Sequence, residues 1–194
     1  MNKSQFWNET AKKGAVLGAL LALSAIFEMW VSISGKHAML WPMTIEWIAV
    51  AVLHYYLLHR YTKQYSLGFS DEVGFTFWQG YGYQMILSAF AGVIVGVVQS
   101  LMLHGVIGYS NYIERVMNST QQIIASSGAP MSNATQSMLA QAFEQVQQTQ
   151  EPSVLSTAWG SMVNALLFAA LFGLIIAGVT ARAPRLFGGS EQQE

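Results

Sequence analysis

Four side chains stand where an apolar helix has no use for them. Glu28, Glu46, Gln99 and Asn164 each interrupt a different long apolar run of the chain. An ionisable group near the centre of a bilayer-spanning helix costs about 2.5–3.5 kcal/mol on insertion scales, so such a residue calls for a partner or a task. The chemistry open to this set is that of a polar pocket, with two carboxylates and two amides to hold a cation, a proton or a lipid headgroup. The plain alternative is a hydrogen-bonded cluster that glues helices together, with one or both carboxylates protonated. Two histidines extend the set. His54 lies about 12 Å beyond Glu46 along a helix, and His59 follows it, so a proton relay from Glu46 through His54 to His59 competes with a packing role for both rings. No H-E-x-x-H spacing accompanies these residues, and no G-x-x-x-x-G-K or G-x-S-x-G run is present. No metal, no cofactor and no catalytic residue is therefore expected.

The elements that must position these groups follow from composition. Asp, Glu, Lys and Arg make up 10% of the residues and hydrophobic types 53%, against about 25% charged residues in ordinary soluble domains. A soluble chain needs a charged surface that this one does not supply. Mean hydropathy is +0.35. A net charge of -1 gives no basic face for nucleic acid, and the absence of cysteine excludes disulfides and thiol chemistry. The reading is all-α, a single membrane domain over 1–194 with four transmembrane helices at about 14–33, 41–58, 81–103 and 156–180. Each apolar run is close to the roughly 20 residues that cross a hydrocarbon core. A secretory signal is rejected for the first, because its apolar character runs on through Phe27, Met29, Trp30 and Val31.

The second run is the least apolar, yet the basic residues argue for it. With a cytoplasmic start and four spans, Lys3, Lys12, Lys13, Arg60, Lys63, Arg182 and Arg185 stay inside, and only Lys36 and Arg115 fall outside. Both termini are then cytoplasmic, in a bacterial inner membrane. In that frame Glu28 and Glu46 lie roughly 9 Å and 7–8 Å from the outer ends of their helices, and Gln99 and Asn164 near 6 Å and 12 Å. All four share the outer half of the membrane.

Two connecting segments have structure of their own. In the cytoplasmic stretch 69–80, Ser70 is expected to cap a helix with Asp71 and Glu72 in its first turn, followed by Phe75, Phe77, Trp78, Tyr81 and Tyr83 as a belt at headgroup level. Between the third and fourth spans, apolar residues recur at helical spacing on both sides of a break at Ser126–Pro130. This is read as a periplasmic helical hairpin at about 108–150, its second helix capped by Ser132 or Asn133, packed on itself or lying on the outer leaflet. Gly14-x-x-x-Gly18, Gly92-x-x-x-Gly96, Gly173 and Gly178 mark where helices approach closely.

The start Phe6-Trp7 with Lys13-Gly14 and Leu17-Gly18, the segment Phe69-Ser70-Asp71-Glu72-Val73-Gly74-Phe75 leading to Gln79-Gly80, and the ending Gly173-Leu174-Ile175-Ile176-Ala177 carry a resemblance. With them the chain resembles a domain-of-unknown-function family of uncharacterised four-span inner-membrane proteins from Bacteroidota. That resemblance implies an accessory role near lipid-linked sugar metabolism and lends no catalytic residues. Three functions compete: a non-enzymatic accessory or scaffold protein of the envelope, whose partners are the lipid bilayer and a membrane protein or further copies of itself; a small oligomeric transporter or channel using the intramembrane carboxylates; and a lipid-modifying enzyme using them as acid and base.

Overall fold

A computed structural model describes residues 3–126, 133–148 and 150–184. Six α-helices follow in order: α1 (Lys3–Ser32), α2 (Leu40–Ser66), α3 (Phe77–Ser100), α4 (Tyr109–Ser126), α5 (Asn133–Gln148) and α6 (Val154–Thr180). A 3-10 turn, His37–Met39, leads into α2, and a π-helical stretch, Leu101–Ile107, prolongs α3. Among the described residues the sole strand-like feature is a single antiparallel bridge between Phe75 and Arg182. Among the described residues three helices, α1, α3 with its extension, and α6, are long and apolar enough to cross a membrane. Helix α2 carries Glu46, His54, Arg60 and Lys63 and does not reach that hydropathy. Helix α1 begins well before the expected Gly14.

Helix α3 is the axis of the bundle, packed most extensively on α6 and next on α1. Its neighbours come close because both seams are built from small residues. Gly14 and Gly18 of α1 lie on Leu87, Phe90 and Ala91 of α3, and Gly92 and Gly96 of α3 lie on Ala158, Met162 and Ala165 of α6. Missing side chains let the backbones touch, so dispersion contacts replace the hydrophobic force that a bilayer does not provide between helices. Gly178, by contrast, faces open space.

Helix α2 takes no part in these seams. Its buried residues, His54, Leu58, Thr62 and Ser66, step by four along one stripe, and none precedes His54. The second half of α2 therefore joins the core of Leu17, Leu58, Tyr83, Leu87, Ala91 and Ile176. Its first half exposes Ile45, Ile48 and Val52.

The end of the bundle that holds the start of α1 is tied by Arg182. Its backbone exchanges two hydrogen bonds with Phe75, at 2.7 and 2.9 Å. Its guanidinium donates to the Ser66 carbonyl at 2.6 Å and to the Asp71 carboxylate at 3.3 Å. Gly74, with φ of +71°, passes so close that a Cβ there would stand 2.6 Å from the Arg182 carbonyl oxygen. This clasp differs from the expected helix start at Ser70. The Ser70 carbonyl instead closes a turn, accepting from the Val73 and Gly74 amides, and α3 begins at Phe77 behind a capping box in which Thr76 and Gln79 bond each other's backbone amides. The aromatic belt divides accordingly. Trp78 is exposed, but Phe75 and Tyr83 are buried: Tyr83 stacks on Tyr65 and meets Phe6 edge-on, and Phe75 packs edge-on to Tyr65 and at a tilt to Phe69. A local aromatic preference yielded to the turn that aims these rings inward.

At the opposite end Ser119 of α4 accepts a hydrogen bond from the Gly35 amide at 2.9 Å, and His104 pairs with Glu151 at 2.8 Å. The proposed break at 127–130, the cap at Ser132 and Arg185 lie outside the described residues.

The glycine seams predict a contrast. A Cβ at Gly92 would meet the Met162 Cα at 2.6 Å, whereas one at Gly82 meets nothing within 4 Å. Gly92→Val should cost about 1–3 kcal/mol or more of stability, and Gly82→Ala should leave it unchanged or slightly raised. Thermal unfolding in mild detergent measures both; equal melting temperatures would refute the seam.

Candidate functional site

Where the first half of α2 stands off the core, a cleft of about 500 Å³ remains between α1, α2, α3 and α6. Helical spacing puts the right side chains on its walls. Ser24 and Glu28 lie one turn apart on α1, Trp47 and His54 two turns apart on α2, Val95 and Gln99 one turn apart on α3, and Ser161, Asn164, Phe168 and Phe172 form one stripe of α6. The upper part of the cleft is polar and the lower part is walled by Leu21, Phe168 and Phe172. Trp47 and Asn164 are exposed at its rim, so the cleft opens to the outside of the bundle. No lysine or arginine lines it.

The two carboxylates are held by a crossed exchange between α1 and α2. Trp47 Nε1 of α2 donates to Glu28 Oε1 of α1 at 2.7 Å, and Ser24 of α1 donates its hydroxyl to the Glu46 carboxylate of α2. Each acid thus receives one donor from the other helix. The second Glu46 oxygen, Oε2, is buried without a partner. Across the cleft, Ser161 of α6 donates to Gln99 Oε1 of α3 at 2.5 Å. His54 closes the inner end, 4% exposed, edge-on to Phe172 with ring centroids 5.8 Å apart, and its Nε2 has no hydrogen-bond partner. A buried polar atom left unmatched costs about 1–3 kcal/mol, which a ligand that supplies the partner recovers.

The structure therefore brings Glu28, Gln99, Asn164 and His54 to one cleft. Glu46 is adjacent but turned to Ser24 and does not line it. His59 does not line the cleft; it is half-buried and stacked on Tyr55, ring centroids 6.3 Å apart. Among the described residues no three His, Asp or Glu side chains gather as a metal site. Sequence reasoning missed Ser24, Trp47, Ser161, Phe168 and Phe172. The signal for Ser24 and Ser161 was present, since each precedes a flagged polar residue by one helical turn. Trp47 was one more apolar residue of its run, and the two phenylalanines resembled any apolar wall.

The crossed exchange predicts coupling. Ser24→Ala and Glu46→Gln should each lower the melting temperature, and the double variant should lose less than the sum by about 0.5–3 kcal/mol. Additivity in a double-mutant cycle would mean that the two side chains do not meet.

Over residues 12–182 the chain matches the family described as "Protein of unknown function (DUF4199)", and it belongs to that family. No curated protein and no solved structure matches it.

Proposed function

We propose that this member of the DUF4199 family is a bacterial inner-membrane protein of four spans that works without catalysis, as an accessory protein that holds a membrane amphiphile in its cleft. The observation that carries the reading is the cleft itself. It has a polar upper wall drawn from four helices, apolar walls beneath, and a mouth on the outside of a bundle whose exterior is apolar. That is the outline of a headgroup with a chain below it. In lipid, a polar recess of this kind is reached sideways by the molecules that surround it.

Four spans rest on the placement of α2. At about 1.5 Å per residue its 27 residues extend roughly 40 Å, as long as a bilayer is thick with its headgroups. Its end packs beside the starts of α1 and α3 through Phe6, Tyr65 and Tyr83, so it runs alongside helices that are apolar enough to cross. The basic residues Lys12, Lys13, Arg60, Lys63 and Arg182 then share the clasp end, which favours a cytoplasmic clasp and cytoplasmic termini. Helices α4 and α5 would form a periplasmic hairpin, a sparsely charged surface on which only Glu114, Arg115 and Glu144 are ionic, for a membrane-protein partner or a second copy, in a setting such as lipid-linked sugar metabolism in Bacteroidota.

An oligomeric transporter or channel is the second reading, favoured by carboxylates within a span. Beneath His54, however, Leu17, Leu58, Leu87 and Ile176 are fully buried, and the buried polar groups Gln84, Ser88 and Thr62 do not line the cleft, so the open space ends at His54. Acid–base catalysis on lipid is weaker still, because Glu46 is turned to Ser24 and Glu28 is the one carboxylate that lines the cleft.

Reporter fusions in the 67–76 loop and after Arg182 should read cytoplasmic, and one near 150 periplasmic; the reverse would overturn the topology. Lipid that co-purifies in mild detergent, detected by native mass spectrometry, should be lost in Ala51→Trp, which fills the cleft from α2. Equal lipid content in that variant would place the amphiphile elsewhere.

A further inference from the structure

We infer that the group received by the cleft is an alkylammonium, the positively charged amine of an amphiphile such as an ethanolamine phospholipid; this rests on the reading of the cleft as a lipid site. The electrostatics of the walls select the charge. Glu28 and Glu46 sit together on α1 and α2 with neutral donors, Trp47 and Ser24, and no basic side chain lines the space beside them. Arg115, on the same side of the bundle, is engaged by Asn111 at 2.9 Å. A phosphate entering the cleft would meet the Glu28 carboxylate, with Glu46 adjacent to it, and no guanidinium or ammonium, so an anionic headgroup is disfavoured where a cationic one is matched.

The remaining partners fit the same group. An ammonium carries donors and no acceptor. The cleft offers it acceptors, the Glu28 carboxylate and the Asn164 amide oxygen, which makes no hydrogen bond among the described residues, and it is lined by the aromatic rings of Trp47 and Phe168. His54, more than nine-tenths buried at the inner end with Nε2 unpartnered, is a further polar group that the protein alone leaves unmatched. A sugar or glycerol headgroup would satisfy the amides but bring no cation to the Glu28 carboxylate. Ammonium answers both needs.

The test uses delipidated full-length protein in dodecyl maltoside, offered equal amounts of dioleoyl-phosphatidylethanolamine, its N-acetylated form and dioleoyl-phosphatidylglycerol, with bound lipid read by native mass spectrometry. Wild type should retain the free amine about tenfold over the other two, and Glu28→Gln should erase most of that preference. The N-acetyl comparison needs no variant, since tails and phosphate are unchanged and the amine charge is gone. Equal retention of all three by wild type would overturn the ammonium assignment and leave the lipid site standing. Retention of none would overturn the lipid site itself. Added ethanolamine that displaces the bound lipid would support the ammonium chemistry while assigning it to a soluble amine; no displacement supports the lipid as its source.

Discussion

Close backbone approach along two faces of α3 is the contact on which the architecture depends. Gly14 and Gly18 bring α1 against it from one side, and its own Gly92 and Gly96 admit α6 on the other. Helices separated by a glycine seam gain contacts along their whole length and lose the freedom to slide. Because α3 spends both faces this way, α2 is left to pack on what remains. Its buried residues begin only at His54, and the cleft is the space that its first half does not fill.

The two ends of the bundle consequently differ in kind. At the clasp end, Arg182 joins the last turn of α2, the loop before α3 and the residues after α6 through backbone and guanidinium together. Phe75, Tyr65 and Tyr83 fill the space beneath it. At the other end the links among the described residues are single ones: Ser119 on the Gly35 amide, Ser100 on the Val154 carbonyl and His104 on Glu151. An anchored end beside an open one lets a cleft persist without loosening the fold, since the core of Leu17, Leu58, Leu87 and Ile176 lies between them.

Polar contacts do a particular job in this setting. Between α1 and α2 there is little apolar packing above His54, and the crossed pairs Glu28–Trp47 and Glu46–Ser24 bridge the gap instead. In a low-dielectric surrounding such bonds are stronger than in water, and an acid without one is more costly. The same groups thus hold the wall in place and give the cleft its charge.

Much of this was legible in the residue order. Long apolar runs, sparse charge and helical spacing were enough to derive an all-α protein with membrane-like helices. The polar intruders Glu28, Gln99, Asn164 and His54 stood out because an apolar helix gives them no local partner. Small residues at i and i+4 announced the seams. What the order did not contain was direction around each helix axis. Whether Glu46 faces the cleft or Ser24, whether Phe75 meets headgroups or the core, and whether the chain after Gly68 starts a helix or wraps under Arg182 depend on contacts between residues up to 116 apart in the chain. Periodicity reports which face of a helix is polar, and only packing decides what that face meets.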